Sequence, residues 1–373
     1  MELKQTSLYQ KHIQHKGRIV DFSGWALPVE YSSTLAEAKA VRERCGIFDA
    51  SHMGEIAIKG KNALAFLQYL TPNDISLIQK GQMQYNLLLN PEGGVIDDLM
   101  VYHLGDSFIC VANASNKDKV LAWLNKNKKE GVKIEDQSDK TALIAVQGPQ
   151  AAAVVSKVVG EAMNLDYMHF VKATFKGKEA IISRSGYTGT DGFEIYPSWD
   201  DACLWWDAFM SAGKGLGLVP CGLGARDVLR IEVGYPLYGH EINDTTNPYQ
   251  ASLAWVVKPQ KDFIAKDKLM IIKKEGPAQK RVGFIMQQRG VPRQDYPIYA
   301  KTKKIGRVTS GTFSPNANQF IGMAYVDRDY TAAGTEIEIE IRDRLYKAKV
   351  AKWPFVEIGT KGHNHNAFIK KEA

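Results

Sequence analysis

The chain is predicted to be an α+β protein: two α+β domains and a C-terminal all-β domain resembling a small Greek-key barrel. Three observations lead there. Helix-like and strand-like patterns alternate up to about residue 275, and only short strands follow. Residues 54–139 read β-α-β-β-β-α, and the order from 141 onward is similar, which hints at a pseudo-repeat without residue-level identity. The 373 residues, 45% hydrophobic and 24% charged, suffice for two or three domains of ordinary globular composition.

Taken in order, residues 8–27 open with a short helical or coil segment. Ser33/Thr34 with Glu37 gives a capping-box signature for a helix over about 34–45, with Leu35, Ala38, Val41 and Cys45 on one face and Gly46 as its stop. A strand over 55–59, a helix over about 61–70, a strand over 107–113 and a lysine-rich helix to about 129 complete the 54–139 unit. A continuous apolar strand over 141–146 stops at Gln147-Gly148-Pro149, where a helix begins. A hairpin follows over 171–183, then a strand over 193–196. A helix over about 199–212 has Trp199, Cys203, Trp206 and Met210 as its predicted core face, and another helix runs over 222–233. Residues 276–279 read as a linker. Strands are expected over 281–286, 304–312, 322–326, 336–341 and 346–351, with a loose polar tail carrying His363 and His365.

Composition excludes several classes. No apolar run approaches the ~18–20 residues that span a bilayer, and the first residues lack a signal-peptide core, so a cytoplasmic protein is expected. Cys45, Cys110, Cys203 and Cys221 show no CxxC spacing, which argues against a zinc site and a disulfide framework. No metal is expected. The net charge of +7 is concentrated in 117–129 and the tail, without the motifs of a nucleic-acid binder. P-loop, Rossmann, nucleophile-elbow and HExxH motifs are absent.

Three stretches could carry chemistry. Residues 81–103 form a predicted hairpin around Asn90-Pro91-Glu92-Gly93-Gly94, and its second arm carries Asp97-Asp98. Strand alternation sends one aspartate inward and the other out. A buried carboxylate needs a partner, so the pair reads either as a site or as a turn cap. Gly186-Tyr187-Thr188-Gly189-Thr190-Asp191-Gly192-Phe193-Glu194 lets a ligand approach the backbone. Glu194 is there either an exposed strand residue or an acceptor for two parallel hydrogen bonds from a planar edge. Gly222-Leu223-Gly224-Ala225-Arg226-Asp227 places Arg226 in a first helical turn, where the helix dipole disfavours it. It serves a ligand, a carboxylate such as Glu194, or an ion pair with Asp227 or Glu232.

Seven ordered motifs carry a family resemblance over about residues 6–356. They are 48–55 (FDASHMGE), 84–86 with 96–98 (QYN and IDD), 146–149 (VQGP), 186–194, 222–227, 239–241 (GHE) and 309–314 (TSGTFS). Together they resemble the aminomethyltransferase, or T-protein, family of the glycine cleavage system. The resemblance implies a three-domain cloverleaf around a central tetrahydrofolate pocket. On that plan 1–53 and 140–250 form a discontinuous first domain. Residues 54–139 form the second, with 251–275 as a candidate addition, and 276–373 the third.

The implied reaction moves the methylene carbon of an aminomethyl group, carried on the lipoyl arm of a partner H-protein, to tetrahydrofolate. Ammonia, 5,10-methylenetetrahydrofolate and dihydrolipoyl H-protein are the implied products. Asp98 resembles the family's catalytic aspartate, and Glu194 the carboxylate that holds the pterin edge. Tyr85, Asn113, Tyr187, Arg226, Met53 and Tyr167 resemble other folate-binding positions. Asp98 is then expected to face the pocket and Asp97 to face away, holding the turn. Two departures stand out: Thr190 where the family has glutamate, and Ala251-Ser252-Leu253-Ala254-Trp255 where it has Ala-Gly-Leu-Gly-Trp.

Two sister readings share the fold: a folate-dependent demethylase, and a non-catalytic folate-binding maturation factor, whose characteristic cysteine motif is missing here. The basic 117–129 helix suits an acidic carrier protein, or is simply a solvated lysine face. A monomer is expected.

Overall fold

The computed structural model describes residues 2–160 and 164–357, so the expectation for the histidine tail lies outside the described residues. A short helix, Tyr9–Gln14, precedes a hairpin of Arg18–Phe22 and Trp25–Glu30. Two sheets then organise the chain to about residue 260.

The first sheet has six strands in the order Phe170–Phe175, Lys178–Ser183, Gly192–Pro197, Ile144–Gln147, Cys45–Asp49 and Leu218–Pro220. Its central strands are buried on both faces. Ile47, Ile144 and Ile195 meet Val154, Val155, Trp205 and Phe209 of helices Ala151–Val159 and Ala202–Gly213. Phe48 and Ala145 meet Ala38, Val41, Ala225 and Val228 of helices Thr34–Glu43 and Leu223–Val233. Period-2 alternation sends successive residues to the two helix layers.

The second sheet is antiparallel, in the order Met83–Leu89, Val95–His103, Ser107–Ala112, Gly54–Lys59 and Lys133–Asp136. Helices Ala63–Leu70 and Lys117–Lys126 cover one face through Phe66, Leu67, Val120 and Leu124. The other face sets Tyr85, Met100, Val111 and Glu55 side by side in register. The pseudo-repeat is real at the level of topology. From Gly54–Lys59 and from Ile144–Gln147, the five successive strands are each arranged 2-3-4-1-5, and in the first sheet Cys45–Asp49 is inserted between the strands numbered 1 and 5.

The C-terminal strands close a six-stranded barrel. Gln279–Met286 pairs with Gln319–Asp327 on one side and Arg344–Ala351 on the other. Lys303–Ser314, Pro297–Ala300 and Glu336–Ile341 complete the ring in a Greek-key order. Helix Leu223–Val233 docks the barrel on the first sheet through Ile231, Ile321 and Met323. Buried charges accompany that contact. Arg230 reaches Glu241 at 2.6 Å, Ser310 at 2.7 Å and Asp227 at 2.8 Å. Glu232 accepts from Arg42 at 2.8 Å, Ser314 at 2.6 Å and Asn316 at 2.8 Å.

Several local expectations need correction. Helix Thr34–Glu43 ends at Arg44, and both Cys45 and Gly46 belong to a strand. The chain is pulled into the sheet there because Gly46 packs against Val41 and Cys221 with no room for a side chain. Leu35, expected on the buried face, is exposed. Glu37 accepts from Tyr31 N, Ser32 N and Gly222 N and so anchors a distant loop, while Thr34 donates to Glu30. The Ala202–Gly213 helix buries Trp205, Trp206 and Phe209, and Trp199 lies before it in a 3-10 turn. Of the expected core face, Trp206, Cys203 and Met210 do pack on the first sheet's core, and the buried face is wider than expected, taking in Trp205 and Phe209 as well. Strands Lys133–Asp136 and Pro297–Ala300 were missed, being short and at most partly alternating. The lysine-rich helix stops at Lys126.

The buried Arg230–Glu241 pair generates a stability test. Arg230→Met should destabilise the fold by about 3–5 kcal/mol, because Glu241 keeps its charge without its counter-ion. Adding Glu241→Leu should recover much of that loss. Urea unfolding of the two variants measures both, and a single variant as stable as the parent would contradict the assignment.

Candidate active site

A cavity of about 600 Å³ opens where the two sheets and the barrel meet. The second sheet contributes Tyr85, Asp98, Met100, Val111 and Asn113. The first contributes Leu143, Ser185, Tyr187, Glu194 and Tyr196, with Arg226 from the docking helix and Tyr167 from the preceding loop. The barrel edge adds Lys280, Arg281, Lys352 and Trp353. All eight residues singled out in the sequence line this one cavity: Met53, Tyr85, Asp98, Asn113, Tyr167, Tyr187, Glu194 and Arg226.

The aspartate pair separates as strand alternation requires. Asp98 lines the cavity, held by Tyr85 Oη at 2.9 Å and Asn113 Nδ2 at 2.7 Å. Asp97 points to the opposite face and is 0% exposed. It does not hold the 90–94 turn. It accepts from Asn113 N at 3.0 Å, Asn113 Nδ2 at 2.9 Å and Asn116 Nδ2 at 2.6 Å, so it fixes the segment after the next strand. Asn113 bonds both aspartates and so sets their relative position. Burial raises both carboxyls above the ordinary value, and the Asp98 charge raises Asp97 further, against these hydrogen bonds.

Tyr85 stacks on Trp255, with ring centroids 5.7 Å apart. Tyr187 donates to the Pro236 carbonyl, and the Arg226 guanidinium lies 4.5 Å from the Tyr187 ring centroid. Among the described residues Arg226 makes no ion pair with Asp227 or Glu232, which are taken by Arg230 and Arg42. Glu194 accepts from Ser185 Oγ at 2.7 Å. Burial raises its carboxyl, while Ser185 and the Arg226 charge pull it back. The cavity thus has apolar and aromatic walls, a carboxylate on each of two sheets, and an arginine beside one of them. Such a slot accommodates a flat ring with hydrogen-bond donors on its edge.

Sequence reasoning passed over several lining residues. Tyr196 follows Glu194 by two positions, so alternation would have put both on one face. Trp255 was noted only within a variant motif. In that motif Ser252 lines the cavity with a left-handed φ of 57°, its hydroxyl 3.1 Å from the Arg281 carbonyl. Thr190 instead packs on Thr188, 2.8 Å away, behind the cavity. Arg281 and Trp353 stack at 4.7 Å and reach the cavity only because the barrel docks there, which no local pattern signals.

Comparison with known proteins is decisive. Residues 8–261 match the GCVT N-terminal domain, and residues 279–357 match the glycine cleavage T-protein C-terminal barrel domain. The chain belongs to the glycine cleavage T-protein family. It is 45% identical over 359 residues to an aminomethyltransferase of Halothermothrix orenii, covering 95% of this chain and 100% of that one. It is 43% identical over 358 residues to the Bacillus subtilis aminomethyltransferase, covering 95% and 99%. The crystal structure of glycine cleavage system aminomethyltransferase T from Bartonella henselae superposes with a TM-score of 0.90 at 34% identity, covering 95% and 98%. The family's activity is therefore this chain's: it is an enzyme, an aminomethyltransferase of the glycine cleavage system. The demethylase and maturation-factor readings are not favoured. No described helix is long and apolar enough to cross a membrane.

The aspartates make a titration test. Both folded-state values lie above the unfolded one near 3.8, so the pair favours the folded state at low pH. That contribution is lost as pH rises through the raised folded values. Replacing Asp98 by Asn removes the neighbouring charge and should lower the Asp97 midpoint, measured by carboxyl-carbon NMR. An unchanged midpoint would show that the two do not interact.

Proposed function

We propose that the cavity binds tetrahydrofolate and that the aminomethyl group arrives on the lipoyl arm of the glycine cleavage H-protein. One observation carries this reading: Asp98, oriented by Tyr85 and Asn113, and Glu194, oriented by Ser185, open into the same aromatic-walled cavity. Glu194 accepts the two donors on the pterin edge, with Arg226 beside it. Tyr85, Tyr187, Met53 and Tyr167 enclose the ring system.

Asp98 then stands near the folate nitrogens. As a folate nitrogen attacks the methylene carbon, positive charge develops on that nitrogen, and Asp98 stabilises it. The carbon's bonds to sulfur and to the amino nitrogen break, and two carbon–nitrogen bonds to folate form. The two protons lost from the folate nitrogens balance the leaving thiolate and amine, giving dihydrolipoyl thiol and ammonia. No covalent enzyme intermediate is required, because the lipoyl sulfur is the leaving group. This chemistry serves one-carbon metabolism during glycine catabolism in the cytoplasm, and the protein acts as a monomer.

The test is a coupled assay with aminomethyl-lipoyl H-protein and tetrahydrofolate, following ammonia and methylenetetrahydrofolate. Asp98→Asn should lower turnover on the order of 10²-fold or more while tetrahydrofolate still binds. Asp97→Asn should be milder. Near-normal turnover of Asp98→Asn would remove the aspartate from the mechanism.

The surface of the basic helix suits an acidic partner. Lys117 and Lys119 are occupied by Asp136 and Asp244, which leaves Lys126, Lys128 and Lys129 as the more available cations. The apparent KM for H-protein should therefore rise with salt between low and physiological ionic strength. A KM independent of salt would rule out electrostatic docking.

A further inference from the structure

Behind Glu194 lies a group of buried hydroxyls, of which the proposed chemistry uses only the Ser185 contact. Ser185 Oγ is 2.7 Å from Glu194 Oε2, Ser183 Oγ is 2.8 Å from Ser185 Oγ, and Tyr102 Oη is 3.1 Å from Ser183 Oγ. Tyr196 Oη is 2.9 Å from Tyr102 Oη. Ser183 also reaches the Glu194 carbonyl, at 3.3 Å. Ser183, Ser185, Tyr102 and Tyr196 are all buried. Ser183, Ser185 and Tyr196 lie in or next to strands of the first sheet. Tyr102 lies on the second, in the strand that carries Asp98 four residues earlier.

We infer that Ser185, Ser183, Tyr102 and Tyr196 are positioning residues that present Glu194 to its ligand as an ionised two-oxygen acceptor, at a fixed offset from Asp98. An ionised carboxylate only accepts, so Ser185 must donate to it. The Ser185 oxygen is then left to accept from Ser183, and the Ser183 oxygen to accept from Tyr102. The carboxylate sets the direction of Ser185. The Ser183 proton goes to the Ser185 oxygen at 2.8 Å in preference to the Glu194 carbonyl at 3.3 Å, which leaves the Ser183 oxygen to accept from Tyr102. Hydroxyl chains ordered in this way polarise one another in a low-dielectric interior. Tyr196 closes the group from the other side, donating its one proton to the Tyr102 oxygen. Because Tyr102 belongs to the Asp98 strand, the chain ties the two carboxylates together across the sheet junction.

The charged and titratable groups acting on Glu194 are Arg226 from the docking helix, Tyr102 from the second sheet, Tyr167 from the preceding loop and Tyr196 from its own strand. Burial opposes its ionisation, and the hydrogen bond from Ser185 together with the Arg226 charge counters that. Removing the Ser185 hydroxyl should move its titration to higher pH.

This inference rests on the folate reading, and its test separates the two. Binding of tetrahydrofolate and of its 2-desamino-2-methyl analogue, which lacks one donor of the pterin edge, is measured by calorimetry across pH. Ser185→Ala should weaken tetrahydrofolate binding roughly 10–100-fold and analogue binding several-fold less, because an edge donor has been removed from both sides of the comparison. The acid limb of tetrahydrofolate binding should move to higher pH. Ser185→Thr, which keeps the hydroxyl, should restore both. Tyr102→Phe should move the limb in the same direction by a smaller amount. Equal losses for the two ligands with an unmoved acid limb would mean a general packing defect and overturn the inference. Unchanged tetrahydrofolate binding in Ser185→Ala would overturn it as well. A parent protein that binds no tetrahydrofolate would overturn the folate reading itself.

Discussion

Helix Leu223–Val233 carries charges into three places where charge is costly, and the rest of the structure is arranged around satisfying them. Its first turn sends Arg226 into the cavity, over the Tyr187 ring. One turn later Arg230, 1% exposed, is bonded to Glu241 and to Ser310 of the barrel. Glu232, 0% exposed, holds Arg42 of the neighbouring helix and Ser314 of the barrel. A buried charge without its partner costs several kcal/mol. The barrel therefore docks in the one orientation that supplies those partners, and that orientation closes the cavity with Arg281 and Trp353.

The second constraint is the meeting of the two sheets. Met83, Tyr102 and Val111 from one sheet pack with Ala50, Leu143, Phe170 and Tyr196 from the other. Such apolar contact fixes a distance but tolerates sliding. The hydroxyls of Tyr102, Ser183 and Tyr196 add direction to it. Glu55 shares this face. Its two oxygens have no hydrogen-bond partner among the described residues, and burial pushes its carboxyl well above the usual range.

The hairpin illustrates how one strand serves two purposes. Asp97 and Asp98 are adjacent, yet the first organises backbone and the second opens into the site. Asn113 is the hinge of the arrangement, because its side-chain amide donates to both carboxylates. The two aspartates thus differ in role through the face each occupies, although their chemistry is the same.

Period-2 and period-3.6 patterns determined most of the elements: both arms of the hairpin, the change to an all-β C-terminal region, and the helices over 63–70 and 223–233. Motif order determined the family and named eight residues that share the cavity. Local pattern could not decide where Thr34–Glu43 stops or how wide the buried face of Ala202–Gly213 is, because both depend on what packs against them. Nor could it find Arg281, Trp353 or Ser185, which join the site through contacts between separate elements. Register within a strand is a property of the sequence. Which strands meet, and which hydroxyl lies behind which carboxylate, is decided only when buried polar groups from distant segments find partners in one tertiary arrangement.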